Sequence, residues 1–166
     1  MRFLKPALPV LFALLVGSCA GFTPLYGQKT GARQHFAQLS LAPIEGRTGF
    51  LFTQAMRDRG GVSQGQSGAY VLQTSLTEKL AFVGVRIDQV STRARITLDA
   101  SYSVLDRDGK AVYTGAARSM AAFDEPDQPY AAIAAERDAK DRASRILAEK
   151  VLNDLAVFFS TVAPNS

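Results

Sequence analysis

The stretch RARITLDASYSVLDRDGKAVYTGAARSMA, Arg93 to Ala121, decides the fold. Ala94, Ile96, Leu98, Ala100, Tyr102 and Val104 recur at every second position, with Arg95, Thr97, Asp99, Ser101 and Ser103 between them. A period of two predicts a strand with one buried face and one wet face. Asp108-Gly109 follows, a dipeptide that favours a two-residue type I′ hairpin turn, and Lys110 to Ala121 reads as the returning strand. That turn sets Leu105 opposite Val112 and Asp99 opposite Arg118. The core side of the returning strand is then Tyr113, Gly115, Ala117 and Ala121, mostly small residues that suit a helix lying close above.

Downstream, residues 124–129 (DEPDQP) stop the strand and start a helix, with Asp127 or Gln128 as cap and Pro129 in the first turn. Tyr130 to about Ser160 carries Ile133, Ala139, Ala143, Ile146, Leu147, Val151, Leu155 and Phe158 at three-to-four spacing. Upstream, Gly84 to Thr92 is a break or hairpin loop. Ala69 to Val83 reads as a long strand, with Tyr70, Leu72, Leu76, Leu80 and Phe82 on one face and Gln73, Ser75, Thr77 and Lys79 on the other. Gly61 to Gly68 reads as a loop. Arg47 to Arg59 reads as a helix, with Thr48 as candidate N-cap and Gly60-Gly61 as its stop. Gln38 to Ile44 reads as a short first strand whose end Pro43 demotes. The expected fold is α+β: a four-stranded mixed sheet packed on one face by two helices, in the order β-α-β-β-β-α.

Composition narrows the function. Hydrophobic residues make up 47% and charged residues 20%, enough for a real core. A net charge of +4, with no run of five Lys or Arg, argues against nucleic acid as a partner. A single Cys excludes an intrachain disulfide, and a single His leaves few ligands for zinc. No metal or dissociable cofactor is expected.

The first residues follow a secretory order: basic Arg2 and Lys5, apolar Ala7 to Val16, then small Gly17 and Ser18. The apolar run is about half the roughly 20 residues needed to span a bilayer. Val16-Gly17-Ser18-Cys19 resembles the bacterial lipobox, an aliphatic residue and two small residues before Cys. The resemblance implies a covalent diacylglycerol on the Cys19 sulfur, cleavage before Cys19, and an acyl chain on its new amino group. By the same resemblance Ala20, standing where Asp favours inner-membrane retention, points to the outer membrane. The expected organisation is a signal peptide over 1–18, a lipidated tether over 19–36, one α+β domain over 37–162 and a tail over 163–166.

No catalytic set emerges. His35 sits in or beside the tether. Asp106 and Asp108 are explained by the turn, and Asp124, Glu125 and Asp127 suit the positive end of a helix. Glu136–Lys140 and Asp138–Arg142 read as i,i+4 pairs on a solvated face. One feature points to a ligand. Arg86, Arg93 and Arg95 flank the loop after the long strand, and Arg118 lies on the polar face of the returning one; guanidinium groups there suit phosphate. The alternative is that Arg118 pairs Asp99 across strands and the others are solvated.

Cys19-Ala20-Gly21-Phe22-Thr23-Pro24-Leu25-Tyr26-Gly27 resembles the mature start of the LptE family of lipopolysaccharide-assembly lipoproteins in its alphaproteobacterial form. That form usually reads Cys-Gly-Phe-x-Pro-Leu-Tyr; here Ala20 is inserted. The later order is also similar: a strand opened by Arg93, a hairpin, then Arg118-Ser119 leading to Phe123-Asp124 and a long helix. The resemblance implies a four-stranded α+β fold and a non-enzymatic, lipid-anchored subunit on the periplasmic face of the outer membrane. It would sit within the LptD β-barrel and assist lipopolysaccharide delivery. It also implies lipopolysaccharide binding through basic residues, with Arg86, Arg93, Arg95 and Arg118 as candidates. A free-standing envelope lipoprotein that binds lipid or acts as a scaffold, and an envelope hydrolase, are the other classes open to this sequence.

Overall fold

A computed structural model of the chain describes residues 36–65, 68–82 and 93–162. The signal segment, Cys19, nearly all of the tether, His35, Arg86 and the 163–166 tail lie outside the described residues. The elements run β1 (Leu39–Leu41), α1 (Gly46–Gly60), β2 (Ser63–Gln64), β3 (Tyr70–Phe82), β4 (Arg93–Leu105), β5 (Ala111–Asp124) and α2 (Pro129–Val162).

The sheet has five strands in the order β2-β1-β3-β4-β5, which corrects the expected four. The added strand is β2, inside the stretch read as a loop. It pairs in parallel with β1, Ser40 beside Ser63 and Leu41 beside Gln64. Two residues, between Val62 and Gly65, carry no alternation, so the period that marks the long strands is absent there. β1 lies between β2 and β3 rather than at an edge, and all three of its residues are buried.

The long strands follow the alternation closely. In β4 Ala94, Ile96, Leu98, Ala100, Tyr102 and Val104 are all buried. Asp99 pairs with Arg118 as expected, but Leu105 pairs with Ala111, not Val112. The turn is the reason. Gly109 N–H donates to Asp106 O, Asp106 N–H donates to Lys110 O, and Gly109 has φ +76°. That is a three-residue loop closed by a left-handed glycine, not a two-residue type I′ turn. The Asp106 carboxylate accepts from the Asp108 and Lys110 N–H groups and so favours the longer loop.

Both helices cover one face. α1 buries Phe52, Ala55 and Met56 and ends at Gly61, whose φ of +66° lets its N–H reach Arg57 O at 2.9 Å. Its N-cap position is Glu45, without a side-chain cap; Thr48 lies inside the helix and its hydroxyl donates to Glu78 of β3. α2 buries Ala139, Ala143, Leu147, Val151, Leu152, Leu155 and Phe159. This stripe is wider than the one read from spacing because α2 meets both α1 and the sheet. Ile133 and Ile146, expected within it, are exposed on its flank.

The small residues of β5 have two separate causes. Gly115 lies opposite Tyr102, and a Cβ there would come within 2.6 Å of the tyrosine ring, so the glycine makes room for a cross-strand ring. Farther along, Ser119 is buried and its hydroxyl donates to Ala143 O at 2.8 Å, which draws α2 down onto the strand. α2 also guards the free edge of β5: Arg142 donates to Ala122 O and Lys150 to Arg118 O, occupying carbonyls that would otherwise invite another strand.

Candidate functional site

The helices leave the opposite face of β3, β4 and β5 uncovered, and the strand period assigns its residues. Odd positions of β3 and β4 and even positions of β5 point there. Arg93, Arg95 and Arg118 therefore share this face. In the register Arg93 lies opposite Asp124, Arg95 opposite Ala122, and Arg118 opposite Asp99. Lys79 of β3 joins them and places its Nζ 3.3 Å from Asp99 Oδ2.

Two of the arginines are held by carboxylates. Arg93 Nε lies 3.6 Å from Asp124 Oδ1, and Arg118 donates through Nε to Asp99. Asp99 thus holds Lys79 and Arg118 together across three strands. The Arg118 hydrogen bond keeps the Asp99 carboxyl below its usual range, and Asp99 in turn raises Arg118. The cross-strand pairing expected for Arg118 is therefore formed. Its guanidinium remains well exposed, as does that of Arg93. Four cations against two carboxylates leave this end of the face basic. Of the four candidate arginines, three lie on one face, and Arg86 is outside the described residues.

Two networks on the helix side were not legible in sequence spacing. Tyr102 and Tyr113, on neighbouring strands, both donate to Asp154 Oδ2 of α2, and Tyr113 stacks on Phe158 with centroids 4.6 Å apart. Burial first, then the Asp154 bond, raises the Tyr102 hydroxyl far above its ordinary value; for Tyr113 the Asp154 bond comes first. This is a clasp between sheet and helix. Its signal was Asp154, a lone carboxylate among Leu152, Leu155 and Phe158.

The second network is Glu78, which meets Lys140 at 2.7 Å and the Thr48 hydroxyl; Lys140 also meets Glu136 at 2.9 Å. Burial works to raise Glu78, but its bonds to Lys140 and Thr48 outweigh this and lower it. The network marks where the helix layer ends over β3. Beyond it, Leu80 and Phe82 keep the core-side parity but are 44% and 60% exposed, a correction to their expected burial. The helix pairs read from the sequence, Glu136–Lys140 and Asp138–Arg142, are present.

Among the described residues no group of three or more His, Cys, Asp or Glu could hold a metal, and no helix is long and apolar enough to cross a membrane.

The family model for LptE, lipopolysaccharide-assembly, matches residues 36–155. The match takes in all five strands and most of α2. The chain belongs to the LptE family. LptE-family lipoproteins are non-catalytic and anchored in the outer membrane, and a single cysteine near the N-terminus fits such an anchor.

Among solved structures, this chain is similar to a candidate lipoprotein from the alphaproteobacterium Caulobacter crescentus CB15. Identity is 34% and the TM-score 0.68, over 81% of this chain and 98% of that one. The fold also matches a minor lipoprotein from Acinetobacter baumannii, at 14% identity and TM-score 0.57 over 74% and 92% of the two chains. Rare lipoprotein B from Shewanella oneidensis matches at 14% and 0.56, over 75% and 97%. No match is found among curated proteins.

Proposed function

We propose that the chain is the lipoprotein subunit of a lipopolysaccharide translocon. Lipid on Cys19 holds it to the periplasmic face of the outer membrane. The folded domain plugs the LptD β-barrel and helps it assemble, and it assists lipopolysaccharide insertion into the outer leaflet. The observation that carries this reading is the match of the lipopolysaccharide-assembly family over residues 36–155. The basic end of the uncovered sheet face supports it, because exposed guanidinium groups on rigid strands suit the phosphates of lipopolysaccharide. Arg86, Arg93, Arg95 and Arg118 are the proposed contacts.

Charge reversal at two of these positions tests the ligand. Hydrogen bonds to charged groups are worth roughly 1.5–3 kcal/mol each, so Arg93→Glu with Arg118→Glu is expected to weaken lipopolysaccharide binding by at least ~10-fold. Binding is measured on immobilised lipopolysaccharide, with circular dichroism showing that the variant is folded. A folded variant that binds as wild type removes these arginines from the proposal.

A further inference from the structure

We propose that Asp99 is a positioning residue: it gathers Lys79 and Arg118 from the strands on either side into one two-cation site for a phosphate group, and Lys79 is a further contact to that group. This rests on the reading above, in which the phosphate belongs to lipopolysaccharide.

Lys79, Asp99 and Arg118 stand on three neighbouring strands of the uncovered face. Asp99 lies opposite Arg118 in β5 and opposite Thr77 in β3, with Lys79 one diagonal step away, across from Thr97. The outer two strands are about 10 Å apart, two strand spacings. Left to themselves, two long cationic side chains at that separation would spread into solvent and away from each other. Asp99 prevents this by giving one carboxylate oxygen to each. Lys79 Nζ lies 3.3 Å from Oδ2, and Arg118 Nε donates to Oδ1. Both cations are thus drawn in over the middle strand, on two sides of a single carboxylate.

The way each cation is held leaves it open to a ligand. Arg118 is bound through Nε, and among the described residues nothing engages its terminal nitrogens. Those nitrogens form the fork that matches two phosphate oxygens. Lys79 spends one of its three donors on Asp99. Lys79 and Arg118 are 63% and 65% exposed, whereas Asp99 is 26% exposed. The carboxylate therefore lies beneath the cations, and an anion arriving from solvent meets the cations first. Side chains that the protein already holds need not be ordered by the ligand, and that ordering is where flexible lysine and arginine lose affinity. The Arg118 bond keeps the Asp99 carboxyl below its usual range, so the clamp stays charged at neutral pH.

The other arginines of this face are placed differently. Arg93 meets Asp124, whose side chain is more exposed than the guanidinium it pairs with, so that acid does not hold its partner from beneath. Arg95 lies opposite Ala122. Asp99 differs from Asp124 in bonding cations on both neighbouring strands. A carboxylate that only neutralised its neighbours would oppose the binding of an anion, whereas one that positions them favours it. The two roles predict opposite signs when the charge is removed.

Full-length protein in mild detergent is titrated onto immobilised lipopolysaccharide as wild type, Asp99→Asn, Asp99→Glu and Lys79→Gln, with thermal midpoints as the check on folding. Asp99→Asn is expected to weaken binding by ~5-fold or more although it adds a net positive charge, because ordering the two side chains then falls to the ligand. Asp99→Glu is expected to recover most of that loss, and Lys79→Gln to weaken binding about as much as Asp99→Asn. In a Lys79→Gln, Arg118→Gln background, Asp99→Asn is expected to have no further effect, the mark of a residue that acts through its neighbours. Lipopolysaccharide stripped of its phosphates is expected to bind wild type and Asp99→Asn alike. Folded Asp99→Asn that binds as wild type or tighter overturns the inference, and so does folded Lys79→Gln that binds as wild type. Lys79 is well exposed, so Lys79→Gln carries the test if Asp99→Asn does not fold. A defect of Asp99→Asn seen with inorganic phosphate but not with lipopolysaccharide overturns the inference in favour of a site for free phosphate. Wild type that binds no lipopolysaccharide overturns both this inference and the reading it rests on, whereas wild-type binding that is indifferent to Asp99 overturns this inference alone.

Discussion

Phe159→Ala is expected to destabilise the domain by about 3–5 kcal/mol, the range for removing a fully buried phenylalanine. Phe159 is wholly buried. Its ring meets Phe36 at 6.0 Å, Tyr70 at 5.4 Å and Phe158 at 5.1 Å, mostly edge to face. These rings join three parts of the chain: the residues before β1, the start of β3 and the last turns of α2. The substitution therefore leaves a cavity where they meet. Thermal unfolding is expected to shift down by on the order of 10 °C. Val157→Ala, two residues away on the exposed side of the same helix, is the control and is expected to change stability by less than about 0.5 kcal/mol. A loss below about 1 kcal/mol for Phe159→Ala would mean that the ring cluster does not hold α2 to the sheet.

Cys19→Ser is expected to abolish stable binding to vesicles that contain no barrel. Each buried CH₂ of an acyl chain contributes about 0.8 kcal/mol, and several chains on one residue make the anchor effectively permanent. Among the described residues no helix is long and apolar enough to cross a membrane. Their exposed apolar side chains, such as Phe50, Met120 and Val157, are spread over both helices and the sheet. Flotation with lipid vesicles reads the result. Wild type purified from membranes should float with the lipid, its N-terminal peptide carrying the mass of the acyl groups. The serine variant should remain in the aqueous fraction. A variant that floats like wild type would place the membrane attachment elsewhere in the chain.

How far the sequence carried the fold depended on element length. β4 was readable to the residue because thirteen positions of strict alternation leave only one assignment of faces. Its register with β5 agrees with the one read from Asp-Gly, including the Asp99–Arg118 pair, because a bulge between Val104 and Leu105 offsets the extra residue of the loop. The turn type did not follow, because the Asp106 carboxylate gathers two backbone N–H groups into a longer loop. β2 was missed because two residues have no period, and its pairing with β1 is a tertiary event. Leu80 and Phe82 were assigned to the right face and the wrong environment. Parity tells which side a residue points to, not where the covering helix ends, and that end is set by Glu78 meeting Thr48 and Lys140. The site shows the same division. The arginines were visible as residue types, whereas Lys79 joins them only through the β3–β4 pairing, which the intervening loop hides. The clasp of Asp154 by Tyr102 and Tyr113 needs all three elements in place and leaves no local pattern.

The central claim is that this lipoprotein works as part of a barrel complex. It is tested most directly by recovering the tagged, lipidated protein from outer membranes in mild detergent and weighing what comes with it. The account predicts one large β-barrel in fixed ratio to the lipoprotein, with lipopolysaccharide in the complex. Recovery of the protein alone, at outer-membrane density, would contradict it and leave a solitary lipoprotein of the same fold.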